Sequence, residues 1–239
     1  MANQYFEFKQ FRIEQEKAAM KVGTDGVLLG AWVDLDKANS ILDVGTGTGL
    51  IAIMLAQRTF GKVRIDAVEI DLAAYQQAVD NFNNCSWSSH IEAKHIDFQN
   101  FCKNDHEKYD LIISNPPYFR NGLNSKDSSR TKARNADHLP LDELILGAKR
   151  LLNSSGILAV ILPVDEACLF EKLAGVDGFY LKRKFAVLPN PGKSAKRILL
   201  EFCLTNVELV FSEIIVENGQ RHVYSPEYRS LTKDFYLNF

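Results

Sequence analysis

The stretch Ile41-Leu42-Asp43-Val44-Gly45-Thr46-Gly47-Thr48-Gly49 runs from a short β-type segment into three alternating glycines, and residues 50–58 continue it with helical periodicity. A strand that passes through glycines into a helix lets the backbone approach a ligand closely, because glycine adopts conformations closed to other residues. The spacing is G-x-G-x-G, unlike the dinucleotide pattern G-x-G-x-x-G, and no Gly-Lys-Ser/Thr follows to make a phosphate-gripping loop. Gly192-Lys193-Ser194 does occur later, but Val187 stands where such a loop needs its first glycine.

Outward from this turn, short apolar runs alternate with helical stretches, the pattern of a parallel sheet covered on both faces. The runs are 41–44, 63–70, 91–96, 110–114, 157–162, 180–188 and 197–204; the helical stretches are 50–58, 72–83, 141–152 and 166–175. Gly156 is read as a turn before the fifth strand. The last two runs are joined only through Pro189-Asn190-Pro191-Gly192, too short for a parallel crossover, so they form an antiparallel hairpin. The expected fold is α/β: a seven-stranded, mostly parallel sheet with a terminal antiparallel hairpin and helices on both faces. Residues 5–13 look extended, and Thr24 is placed to cap a short helix through Trp32. A further strand is expected at 213–216 and a short helix at 226–235. A single domain is expected, with an N-terminal extension (1–37), a core (38–205) and a C-terminal extension (206–239).

Composition narrows the classes. Of 239 residues, 46% are hydrophobic and 24% charged, which excludes global disorder and allows a substantial core. No apolar run approaches the ~18 residues of a membrane span. The opening Met1-Ala-Asn-Gln-Tyr-Phe-Glu-Phe-Lys9 lacks the basic start and apolar stretch of a secretory signal, so a cytoplasmic protein is expected. Cys85, Cys102, Cys168 and Cys203 are scattered and the histidines form no H-x-x-x-H pair, so neither metal nor redox chemistry is expected. The sequence does not set the oligomeric state; a monomer is the simplest expectation.

Two further positions carry chemistry. Glu69 ends the second strand 20 residues after Gly49, where a carboxylate can accept both ribose hydroxyls of an adenosine-containing ligand. Asp71 competes for that role. Asp97-Phe98 follows the third strand and offers a carboxylate for an adenine amino group and a ring for its face, although Asp97 could equally cap a helix. The fourth strand ends in Ser114-Asn115-Pro116-Pro117-Tyr118. Two prolines stiffen this loop. The Asn115 side-chain oxygen and the Pro116 carbonyl then form two acceptors that suit one –NH₂ donor, and Tyr118 supplies a stacking face.

Together, Asp43–Gly49, Glu69, Asp97 and Asn115-Pro-Pro-Tyr118 resemble the motifs of class I S-adenosylmethionine-dependent methyltransferases, a Rossmann-like family. The tetrapeptide is similar to that of enzymes that methylate an amino nitrogen. More narrowly, Met20–Trp32 and Pro191–Phe202 resemble the bacterial family that methylates N6 of adenine 37 in the anticodon loop of tRNA1(Val). The resemblance implies S-adenosyl-L-methionine (SAM) as cofactor and tRNA as substrate. It implies that Lys21, Thr24 and Asp25 help close a cofactor pocket also formed by Asp43, Gly45, Thr46, Gly47, Gly49, Glu69, Ile70, Asp97, Phe98 and Asn115. Asn115, Pro116, Pro117 and Tyr118 would form the catalytic loop.

Net charge is −2, but basic residues cluster. Arg120, Lys126, Arg130, Lys132 and Arg134 face one acid, Asp127, while Lys182, Arg183, Lys184, Lys193, Lys196 and Arg197 have no acid between them. Arg120–Arg134, Lys193, Lys196 and Arg197 are candidate contacts to RNA phosphates. A protein glutamine N5-methyltransferase and a ribosomal guanine N2-methyltransferase are rival readings. A non-catalytic nucleic-acid-binding protein would leave Asn115–Tyr118 unexplained, and a nicotinamide oxidoreductase would need a different glycine spacing.

Overall fold

In the computed structural model, which describes residues 3–104, 107–117 and 139–239, the apolar runs become strands, and the central ones are buried on both faces. Ile41, Leu111, Ile113, Ala159 and Ile161 pack into one hydrophobic cluster. Their sequence neighbours Leu42, Ile112, Leu158, Val160 and Leu162 pack into another. The pleat sends successive side chains to opposite faces, so a sheet covered on both sides needs unbroken apolar runs.

The chain forms β1 (Tyr5–Glu7), β2 (Arg12–Glu14), α1 (Thr24–Trp32), β3 (Ser40–Val44), α2 (Leu50–Arg58), β4 (Arg64–Glu69), α3 (Leu72–Asn83), β5 (Ile91–His95) and α4 (Phe98–Phe101). Then follow β6 (Tyr109–Ser114), α5 (Leu141–Leu151), β7 (Leu152–Pro163), α6 (Val164–Val176), β8 (Tyr180–Leu188), β9 (Arg197–Cys203), β10 (Val210–Ile215) and α7 (Pro226–Thr232). The main sheet has the order β10-β8-β9-β7-β6-β3-β4-β5. β9 is antiparallel to both β7 and β8, and the other pairs are parallel. This is the expected sheet and hairpin, widened by β10, which joins β8 from Val210 opposite Arg183 to Ile215 opposite Leu188.

Helices α2 and α3 occupy the spans read from periodicity. Two local expectations fail. Gly23 rather than Thr24 is the N-cap of α1, with no side-chain hydrogen bond, and Thr24 is already helical. Gly156 makes no turn; it lies within β7, where the register against β6 shifts between Tyr109 and Leu111. A Cβ at Gly156 would fall 2.9 Å from the Tyr109 carbonyl oxygen, so the close approach of the two backbones requires glycine.

The two ends of the chain meet. The Lys9 amide donates to the Phe235 carbonyl at 2.8 Å, and Lys9 Nζ donates to the carbonyls of Lys233 (2.6 Å) and Phe239 (2.8 Å). Phe8, Tyr228 and Phe235 join the cluster that buries α1 and α2, with Tyr236 and Phe239 packed against it. No helix among the described residues is long and apolar enough to cross a membrane.

Candidate active site

Val44 and Ser114 are register partners in adjacent parallel strands, and the Ser114 hydroxyl donates to the Val44 carbonyl at 2.8 Å. The loops that begin at Gly45 and Asn115 therefore leave the sheet side by side. Between β3 and its neighbours β4 and β6 the connections diverge in opposite directions, the place where open α/β sheets form a crevice. A cavity of about 870 Å³ lies there, lined by the loops after β3, β4, β5 and β6 and by residues 18–26.

The glycine loop is held from behind. The amides of Gly45 and Thr46 donate to the Val68 carbonyl at 2.9 and 3.1 Å. The Thr46 hydroxyl donates to Asp43 Oδ2 at 2.6 Å. Gly45 and Gly47 have φ of +70° and +57°. No atom stands within 4 Å of a Cβ built on either, so their missing side chains leave room at the cavity. Gly49 has a different task. It caps α2 at φ +82°, and a Cβ there would lie 2.4 Å from the Phe82 ring.

Asp43 and Gly49 are not among the residues that line the cavity; they hold the glycine loop and the start of α2 from behind it. Asp43 is fully buried, on the strand face under α2, and Oδ1 has no hydrogen bond of normal geometry. Burial pushes its pKa up to about 7; the Glu69 charge adds to the rise, and the Thr46 hydroxyl and Ala52 amide oppose it.

Glu69 is fixed by two backbone donors. The Gly47 amide reaches Oε2 at 2.8 Å and the Asp71 amide reaches Oε1 at 2.9 Å. Each oxygen keeps a further lone pair for a ligand hydroxyl. Asp71, the competitor, also borders the cavity; it accepts from the Ala74 amide at 2.8 Å and caps α3. Asp97 caps α4: Oδ1 accepts from the Asn100 amide and Oδ2 from Asn100 Nδ2, both at 2.7 Å. Phe98 borders the cavity, but its ring belongs to the core, where a Cβ on Gly147 would come within 2.3 Å of it. Ile70, 43% exposed, offers further apolar surface at the cavity.

Lys21, Thr24 and Asp25 all line the cavity, as do Leu139 and Glu143. Lys21 Nζ donates to the Gln15 carbonyl. Asp25 pairs with Arg197, Nε to Oδ2 at 2.7 Å, tying the start of α1 to the start of β9. Asn115, half-buried, and Pro116, buried, border the cavity together with the exposed Pro117. Tyr118 and the basic residues Arg120, Lys126, Arg130, Lys132 and Arg134 lie outside the described residues.

The second basic cluster is largely neutralised. Lys182 pairs with Asp34 (3.2 Å), Arg183 with Glu201 (3.0 Å) and Lys184 with Glu171 (2.6 Å). Arg197, read as a candidate RNA contact, pairs with Asp25. Lys193 and Lys196 remain exposed in the hairpin turn, at the carboxyl edge of the sheet where the cavity opens. Among the described residues no group of three or more His, Cys, Asp or Glu is placed to hold a metal ion.

Sequence reasoning missed Ala18 and Ala19, which wall the cavity beside Met20 and Val22 of the Met20–Trp32 stretch, and Lys103 beyond α4. Small apolar residues outside any helix or strand carry no recognisable signal of this kind.

Residues 20–188 match the family described as methyltransferase small domain. A Trichodesmium erythraeum protein named tRNA1(Val) (adenine(37)-N6)-methyltransferase is 45% identical over 240 residues, covering 100% of both chains. A Bacteroides fragilis protein of the same name is 44% identical, covering 99% of each. Among solved structures, an Agrobacterium tumefaciens protein described as a "predicted O-methyltransferase" superposes with a TM-score of 0.68 at 21% identity, covering 88% of this chain and 96% of the other, a likeness of fold. By its sequence from residue 20 to 188, and by full-length relatives that share nearly half its residues, this chain belongs to the methyltransferase small domain family.

Proposed function

We propose that this protein transfers a methyl group from SAM to N6 of an adenine in tRNA, at position 37 of tRNA1(Val). The observation that carries the reading is the pairing of Val44 with Ser114, which sets a glycine cradle beside an Asn-Pro-Pro loop at one cavity. The full-length relatives, with their printed names, support the nucleobase and its position.

The residues present fit the cofactor. Gly45 and Gly47 leave open space at positive φ, and Glu69 stands fixed at the end of β4 with lone pairs to spare. The cavity volume, about 870 Å³, lies in the range of cofactor pockets. Gly45–Gly47 would bound the amino-acid end, Glu69 would accept the ribose hydroxyls, and Ile70 and Asp97 would meet the adenine. When bound, SAM supplies an electrophilic methyl on a sulfonium, so strong acid–base machinery is not required.

The chain's task is then orientation. The Asn115 side-chain oxygen and the Pro116 carbonyl accept hydrogen bonds from the two N6 protons of the target adenine. These bonds draw the amino lone pair out of conjugation with the ring and stabilise positive charge as it develops on nitrogen. Proline at 116 and 117 keeps the loop in few conformations, so little ordering is left to do when substrate arrives. The target base must leave its loop stack to reach the cavity. Asp43, buried behind the glycine loop, is not positioned to take the proton, which passes to solvent after transfer.

The test is transfer of labelled methyl from SAM to total tRNA, total DNA and a protein extract in parallel, with mass spectrometry of the nucleosides. Label as N6-methyladenosine in tRNA is the expected result. Label confined to protein, or N2-methylguanosine, would overturn the substrate while leaving the cofactor reading intact.

A further inference from the structure

Residues 15–23 connect β2 to α1 without helix or strand, yet residues 18–26 form one wall of the cavity. Backbone polar groups in such a segment need partners from elsewhere. Three buried side-chain amides supply them: Gln15, Gln77 and Asn81 are 4%, 3% and 1% exposed. Asn81 Oδ1 accepts from the Glu14 amide and its Nδ2 donates to the Glu14 carbonyl, both at 2.9 Å. The same Nδ2 donates to the Thr48 carbonyl in the glycine loop at 2.8 Å. One turn earlier on α3, Gln77 Oε1 accepts from the Lys17 amide at 3.1 Å. Gln15 Oε1 accepts from the Val22 amide at 2.8 Å.

We propose that Asn81 and Gln77 are positioning residues that clamp the 14–22 segment onto α3 and, through Thr48, onto the glycine loop, and so set the affinity for the cofactor. The inference rests on the reading of this cavity as the SAM pocket. Neither side chain lines the cavity, so neither touches what binds there. Asn81 must be an amide because it accepts from an N–H and donates to two carbonyls at once. A carboxylate of the same shape would keep the first bond and face both carbonyl oxygens without a donor. Gln77 lies one turn away on the same helix face, so the pair grips the segment at two points, Glu14 and Lys17.

The experiment compares wild type, Asn81→Asp and Gln77→Ala by calorimetric titration with SAM, by amide hydrogen exchange of the free proteins, and by steady-state kinetics. Loss of one or two such hydrogen bonds predicts SAM binding weakened about tenfold in Asn81→Asp and less in Gln77→Ala. Faster exchange at the Lys17 amide is expected in Gln77→Ala, which loses its acceptor, whereas Asn81→Asp keeps the acceptor for the Glu14 amide and is read through its affinity. In both, kcat at saturating SAM is expected within about twofold of wild type. Gln77→Ala removes a single bond at the outer end of the clamp and carries the test alone if Asn81→Asp fails to fold. Unchanged affinity and exchange in a folded variant, or a fall in kcat with KM unaltered, would overturn the proposal. Failure of the wild type to bind SAM would instead overturn the cofactor reading and the inference with it.

Discussion

Gly47 and Gly49 share a left-handed backbone and differ in what lies ahead of them. Replacing Gly47 by Ala meets no atom and costs only backbone strain, about 1–2 kcal/mol, but places a methyl at the cavity. Gly49→Ala adds a collision with the Phe82 ring to the same strain. Chemical denaturation is expected to show the larger stability loss at Gly49→Ala, and SAM titration the larger affinity loss per unit of stability at Gly47→Ala. The motif itself was plain in the sequence; the division of labour within it was not, because Phe82 comes from a helix 33 residues on. Asp43 gives a pH signature. Its pKa is near 4 when unfolded and about 7 when folded, so the native chain holds the proton more tightly. Its contribution to stability is therefore greatest below pH 4, declines as pH rises to about 7, and is level beyond. The melting temperature of Asp43→Asn relative to wild type should rise across that window and flatten above it. Asn115→Ala removes one of the two acceptors proposed for the target amino group, and turnover should fall by at least 100-fold while calorimetry shows SAM still binding.

At the scale of elements, the strands and helices were legible because both faces of the sheet are buried and apolar periodicity reports that directly. The function of the terminal hairpin was not. Counting charges along 182–197 finds six cations and no acid, but Asp25, Asp34 and Glu171 arrive from elsewhere in the chain, and Glu201 from further along β9, to pair with four of them. Arg183 also stacks over the Trp32 ring at 4.3 Å. The hairpin is thereby fastened to α1 and its C-terminal loop. Arg197→Ala breaks a charged hydrogen bond whose partners are each only 22% exposed, and should cost about 1.5–3 kcal/mol in urea denaturation. Because Asp25 lines the cavity, the same variant should also bind SAM more weakly. Thr24 shows the opposite limit: a good capping residue was present, but Gly23 took the cap and Thr24 entered the first turn, at the cavity.

Across the whole molecule, the topology gathers the loops that line the cavity at the carboxyl edge of the sheet. The strand order brings the ends of β3 and β6 together although 70 residues separate Val44 from Ser114. The hairpin turn with Lys193 and Lys196 reaches the same edge, because Pro163 at the end of β7 pairs with Arg197 at the start of β9. Reversing both charges, Lys193→Glu with Lys196→Glu, should leave SAM binding unchanged and weaken tRNA binding. The slope of log Kd against log salt should fall by roughly one for each phosphate that is no longer neutralised. Lys182→Glu, at a residue already paired with Asp34, should alter that slope less. The union of the two chain ends through Lys9, Phe235 and Phe239 had no sequence signal, since it depends on hydrogen bonds between residues more than 220 positions apart. The central claim is N6 methylation of one adenine, and it is tested most directly by incubating the protein with SAM and a tRNA1(Val) transcript carrying either adenine or guanine at position 37. N6-methyladenosine in the first transcript and no incorporation in the second is the predicted result. Equal labelling of the two, or methylation on any other nitrogen, would contradict it.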